Sequence, residues 1–194
     1  GTSNPESKRG ESAYDDAIIK LDLDRHRATF GKIVASYKGT NDSITGYDNP
    51  VCQTLGGTVW VNLGTYGSSP LCGQLDLDFG VGPTLWRNSK ARLMGAATQK
   101  SGWIHAFYGD TMKEAWSRQL FVTLSFLGGN IARIATDGKT LYVAANPGVL
   151  YALNAETGAT IWMQPIPGVP MKGGTVALAN GVVYYTNETG ALGF

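Results

Sequence analysis

Gly102 to Trp116 (Gly-Trp-Ile-His-Ala-Phe-Tyr-Gly-Asp-Thr-Met-Lys-Glu-Ala-Trp) lies over Gly148 to Trp162 without a gap, at an offset of 46 residues. A unit of this size cannot bury its faces alone, so the chain must solve the same packing problem several times over. The second copy, extended back to Asp137, reads as three strands. Asp137-Gly138 is a turn signal, Thr140 to Ala145 is rich in β-formers, and Pro147-Gly148 is a second turn. Val149 to Leu153 is the next strand. Glu156-Thr157-Gly158 then turns the chain into Thr160-Ile161-Trp162, a short outer strand ending on a large aromatic.

The pattern continues in both directions. Asn180 to Tyr185 repeats Asp137 to Tyr142 at an offset of 43, and Gly190 to Phe194 begins a further strand. Ile18 to Asp24 aligns with Leu150 to Glu156, which puts Phe30 where the other copies have Trp. A four-stranded unit recurring every 40 to 50 residues or so is the mark of a β-propeller blade. The expected fold is therefore all-β, with a partial blade over 1–36 and a long insertion over 37–78. Whole blades follow over 79–118 and 130–163, and an incomplete blade over 174–194. Within these, strands are expected at Asp16 to Leu23, at Ala28 to Ser36 with a break at Gly31, and at Phe79 to Leu85, Ala91 to Thr98, Gly102 to Tyr108 and Lys113 to Trp116. A closed ring takes about 4 to 8 blades, so this partial ring of about three to four is expected to be completed by a homologous or complementary propeller chain, as a heterodimer.

Composition narrows the function classes. With 16 basic and 15 acidic residues and no basic cluster, nothing points to nucleic acid or to an anionic membrane surface. No apolar run approaches the roughly 18 residues of a membrane span. A secreted, mature form is the expectation. Asn41-Asp42-Ser43 and Asn187-Glu188-Thr189 are N-glycosylation acceptor triplets, which also arise by chance. Cys52 and Cys72, the two cysteines of the chain, lie in Gly/Pro/Ser/Thr-rich sequence, where a disulfide would pin the long insertion with Trp60 and Tyr66 inside it; the alternative is two unpaired thiols. His105, between Ile104 and Ala106 on a strand, reads as a packed residue rather than a ligand.

Gln99-Lys100-Ser101-Gly102, together with Tyr-Ala-Leu-Asn-Ala-Glu-Thr-Gly-Ala-Thr-Ile-Trp over 151–162, resembles the pyrroloquinoline-quinone (PQQ)-dependent alcohol dehydrogenases, especially the polyvinyl-alcohol-dehydrogenase-like branch. The resemblance takes in Ile18 to Asp24 and Asp76-Leu77-Asp78-Phe79-Gly80 and spans nearly the whole chain. It implies an eight-bladed ring with quinone and Ca²⁺ at its centre, on chains about three times as long. Carried over by position, it makes Lys100 a partner of the quinone carbonyls, or else a solvated turn lysine. It makes Asn4 of Gly1-Thr2-Ser3-Asn4 a Ca²⁺ ligand, or else a turn residue before Pro5. The family's general-base Asp falls at or near Glu11, with Asp15 and Asp16 close by, while its aromatic floor and one Ca²⁺ carboxylate precede this sequence. Since Ca²⁺ takes about 6 to 8 oxygen ligands, the chain alone lacks a catalytic constellation.

Two connecting stretches point elsewhere. In the quinone enzymes the loops leaving each outer strand are typically polar and glycine-rich. Here they read Leu120 to Leu127 and Met163 to Met171, and both are apolar. An apolar surface of this kind must be covered by a ligand, a partner or itself. Phe121, Leu124, Phe126, Leu127, Met163, Ile166 and Met171, with Trp60 and Tyr66, are the expected lining of a site for a large apolar ligand such as a polyene (carotenoid) pigment or a lipid, since Met adapts to irregular shapes. Two functions remain in view: a non-catalytic binding subunit on the quinoprotein scaffold, and a subunit of a PQQ- and Ca²⁺-dependent alcohol dehydrogenase.

Overall fold

The computed structural model describes residues 14, 16–39, 60–62, 68–70, 79–121, 132–145, 148–166 and 175–185. All regular structure among them is strand and turn. Strands β1 (Ala17–Leu21) and β2 (Ile33–Lys38) form a two-stranded antiparallel sheet, and β3 (Trp60–Asn62) and β4 (Ser68–Pro70) form another. Four strands, β5 (Thr84–Arg87), β6 (Leu93–Thr98), β7 (Trp103–Tyr108) and β8 (Glu114–Gln119), make an antiparallel meander. A second meander follows in β9 (Ala135–Thr136), β10 (Thr140–Ala145), β11 (Val149–Asn154) and β12 (Thr160–Pro165), and then the hairpin of β13 (Val176–Ala179) and β14 (Val182–Tyr185).

The 46-residue repeat is kept residue for residue in the hydrogen-bonded register. Thr98 faces Ile104 as Ala144 faces Leu150, and the β-bulge at Ala106/Phe107 recurs at Ala152/Leu153. A bulge repeated at the same place bends both outer strands alike. Inner strands are buried on both faces, so alternate residues serve different neighbours. Met94, Ala96, Ile104 and Ala106 pack against Ile134, Leu141, Val143 and Leu153 of the next meander. The residues between them, Ala97 and Phe107, pack instead with Ile18, Tyr37, Phe79 and Met112 under the β1–β2 sheet. Ala144, Leu150 and Ile166 meet Val176 on the far side. Sheets stacked in chain order, each pair sharing one apolar layer, are the blade packing of a propeller.

Some expectations shift. Ala28 to Ser36 is not one strand, because Asp22 ties the turn down instead: its Oδ1 accepts from the Asp24 amide at 2.9 Å and its Oδ2 from the Thr29 hydroxyl at 2.5 Å. Strand β2 therefore starts at Ile33, beyond Gly31, whose φ is 74°. Phe30 is half exposed in that turn, and it is Ala35, opposite Lys20, that holds the place Trp162 holds opposite Ala152. Phe79 lies before β5 and is buried under β2 rather than starting a strand. Met163 and Pro165 belong to β12, not to a loop, since the pairing with β11 runs on to Val149–Pro165.

Candidate functional site

A connected polar chain links the β1–β2 sheet to the first meander. Tyr37, from β2, is 5% exposed, and His105, from the middle of β7, is 4% exposed. Their side chains meet at 2.9 Å, hydroxyl to Nδ1, and the same hydroxyl lies 2.8 Å from Glu114 Oε2 on β8. On the other side of the ring, His105 Nε2 is 2.9 Å from Gln99 Oε1, which also accepts from the Ser101 hydroxyl at 3.0 Å. Gln99 is fully buried. Tyr37, Phe79 and Trp103 surround the imidazole, with ring centroids 5.7, 5.6 and 6.1 Å away.

Local sequence explains the placement. The turn Gln99-Lys100-Ser101-Gly102 closes on itself, the Gly102 amide donating to the Gln99 carbonyl at 3.0 Å, which turns the Gln99 side chain toward β7. Gly39 follows β2, and a methyl group there would come within 2.6 Å of the Phe79 ring and 3.0 Å of Gln99 Nε2. The absence of a side chain at Gly39 lets Phe79 and Gln99 close the floor. Above them is an open depression of about 280 Å³ lined by Tyr37, Lys38, Gly39, Trp103, His105, Glu114 and Ser117.

Electrostatics follow from burial. Removal from water pushes the His105 imidazole down to about 4, against the opposing pull of the Glu114 carboxylate, so the ring is neutral at pH 7. Burial first, and the Glu114 hydrogen bond and charge after it, raise Tyr37 well above the usual phenol range, so its hydroxyl keeps its hydrogen. Gln99 Oε1 only accepts, so the single imidazole hydrogen sits on Nε2. The Tyr37 hydrogen then has two acceptors within reach, His105 Nδ1 and Glu114 Oε2.

The second meander shows that the fold does not require this chain. At the positions equivalent to Gln99, Trp103, His105 and Glu114 it carries Ala145, Val149, Tyr151 and Thr160. There the junction is made by side-chain bonds to backbone carbonyls: Tyr151 hydroxyl to the Leu120 carbonyl at 3.3 Å and Arg118 to the Gly158 carbonyl at 2.8 Å.

Of the residues expected from sequence, Lys100 lies half-buried in the β6–β7 turn, between Gln99 and Ser101. Phe121 is half-buried just after β8, Met163 is 64% exposed on β12, and Ile166 is buried in the layer with Ala132 and Val176 rather than lining an open surface. Trp60 is in β3, and its side chain is outside the described residues. Asn4, Cys52, Cys72, Tyr66, Leu124, Phe126, Leu127, Met171, Asn41 and Asn187 also fall outside them. Lys100 is thus the one expected quinone contact in view, and its neighbours Gln99 and Ser101 are bonded to each other and toward His105. Among the described residues no three His, Cys, Asp or Glu side chains converge as a metal site. The structure does bring His105, a residue read as merely packed, into contact with Tyr37 and Glu114, which sequence reasoning passed over. Its signal was the break in the repeat: Gln, Trp, His and Glu where the next copy has Ala, Val, Tyr and Thr.

Comparison with known proteins agrees with the architecture. Residues 77–193, more than half of the chain, match the PQQ-repeat family model described as outer membrane protein assembly factor BamB. A protein of that description from Yersinia pestis is 30% identical over 101 residues, covering 50% of this chain and 25% of the relative. The chain therefore spans about a quarter of that protein's length. The crystal structure of BamB from Moraxella catarrhalis superposes with a TM-score of 0.52 at 13% identity, over 89% of this chain and 41% of that one. A quinohemoprotein alcohol dehydrogenase from Pseudomonas putida HK5 aligns at 12% identity with a TM-score of 0.38, over 81% of this chain and 29% of that one.

Proposed function

The chain belongs to the PQQ-repeat family described as outer membrane protein assembly factor BamB, and on that premise we propose that it is a non-catalytic binding subunit, one that holds an extended apolar occupant instead of turning over a substrate. The observation that carries this reading is the family match over residues 77–193, whose description is that of an assembly factor. An extended polypeptide binds to a sheet scaffold of this kind through backbone bonds and alternate side chains. The family's description as an assembly factor favours that occupant.

A polyene pigment or lipid is the second reading. It is favoured by the flexible thioether of Met163 on β12 and by Phe121 at the start of the other apolar stretch. A polypeptide occupant would make the protein part of a hetero-oligomer, and the cysteine pair and glycosylation triplets suit an extracellular location. Native mass spectrometry of the protein from its source distinguishes the two. A polypeptide partner or a small apolar compound in stoichiometric amount supports binding, and Met163→Asp is expected to release it. Recovery of bound PQQ with alcohol-oxidising activity would make the protein a dehydrogenase subunit instead.

A further inference from the structure

We propose that Asn180 is a self-modification site: its side-chain amide is lost to attack by the Gly181 backbone nitrogen, which leaves aspartate or isoaspartate in the turn between β13 and β14. Asn180-Gly181 is the one Asn-Gly pair of the sequence, and glycine puts no side chain over the attacking nitrogen. Ala179 pairs with Val182, so the two residues make the whole connection. Their φ values are 51° and 74°, and a hairpin connection of this length with both φ positive is a type I′ turn. Both residues are exposed, and a Cβ on Gly181 would meet nothing within 4 Å.

The turn has a second form that keeps the same strands. Rotating the peptide unit between Asn180 and Gly181 converts type I′ into type II′, the other favoured hairpin turn, and carries the Asn180 ψ to about −120°. Glycine accepts the reversed φ without strain. In this form the Gly181 nitrogen faces the Asn180 side-chain Cγ. The nitrogen bonds Cγ, its proton and the side-chain nitrogen leave as ammonia, and a succinimide ring closes. Water then opens the ring at either carbonyl, and opening at the main-chain carbonyl leaves isoaspartate.

The other asparagines whose side chains are described are held. Asn88 Oδ1 accepts from the Lys90 and Arg92 amides, both at 3.0 Å, while the amide that would attack it, that of Ser89, donates to Glu156 Oε1 at 2.8 Å. Asn154 Oδ1 accepts from the Glu156 and Thr157 amides at 2.9 and 3.1 Å, and the Ala155 amide donates to the Lys139 carbonyl at 2.8 Å. In the second meander, the Gly138 amide of Asp137-Gly138 donates to Thr136 Oγ1 at 2.9 Å, where the last hairpin has Ala179. Among the described residues nothing bonds the Asn180 side chain or the Gly181 amide.

The intact protein and the same protein in denaturant would be incubated in mildly alkaline buffer and digested. Mass spectrometry would follow the peptides carrying Asn88, Asn154 and Asn180, with isoaspartate identified by labelling with an isoaspartyl methyltransferase. Folding is expected to slow amide loss at Asn88 and Asn154 by at least about tenfold, since several hydrogen bonds must open first, and to leave Asn180 within about threefold of its unfolded rate. Isoaspartate should be among the products at position 180 in the folded protein. Slowing of Asn180 by more than about threefold on folding, or a folded-state product without isoaspartate, would overturn the proposal.

Discussion

Trp116 lies across Gly158 of the following blade, its indole Nε1 donating to the Ala155 carbonyl at 3.2 Å. Gly158 has φ of 72°, and a Cβ there would sit 2.6 Å from Trp116 Cε3, so both the backbone and the ring exclude a side chain. Gly158→Ala is expected to cost roughly 2–5 kcal/mol, from left-handed strain together with overpacking. Gly31→Ala, at φ 74° with nothing within 4 Å, should cost only the strain, about 1–2 kcal/mol. Thermal unfolding of the two variants separates these terms.

Stability should fall on acidification between about pH 6.5 and about pH 4. Burial holds the folded His105 near 4, while the unfolded chain protonates near the ordinary value, so in this window the unfolded state binds more protons and stability rises with pH. The groups facing His105 are Tyr37, Gln99 and Glu114, with Lys38 on the depression's rim. The loss is on the order of 3 kcal/mol from pH 7 to 4. Urea midpoints across this range should show it, and His105→Gln should flatten that part of the profile.

Tyr37→Phe removes the hydroxyl that joins β2 to β7 and β8. It leaves a buried His105 Nδ1 without its donor, at an expected cost of about 1–3 kcal/mol. Hydrogen exchange should rise in β1 and β2 more than in the second meander. Equal protection in both would show that the hydroxyl does not hold the sheet.

The Cys52–Cys72 bridge remains a proposal about residues outside those described. A closed loop of this length stabilises by roughly 3 kcal/mol in the chain-entropy estimate. Alkylation of the unreduced, denatured protein should leave both cysteines unlabelled, and labelling of both would show free thiols.

The blades were legible because a gapless repeat fixes strand register as well as strand existence. The pairing of β6 with β7 and of β10 with β11 follows from Gly102 and Gly148 alone. Phe30 and Phe79 were misplaced because an aromatic residue marks packing without saying which element carries it. The Asp22 turn and the layer under β2 decided those two positions. Met163 begins the apolar stretch expected to leave the outer strand, yet β12 runs on through it to Pro165, since a proline at a strand's last position lacks only a donor the ladder does not need there. The polar chain was illegible since Tyr37 and His105 lie 68 residues apart and meet only when two sheets stack.

Binding without turnover is tested most directly by assaying the native purified assembly for dye-linked alcohol oxidation with added PQQ and Ca²⁺, alongside native mass spectrometry of the same sample. The expected result is a stoichiometric apolar occupant, released by Met163→Asp, and no quinone-dependent oxidation. Alcohol oxidation that requires PQQ and is lost in Lys100→Ala, with no bound occupant, would contradict it.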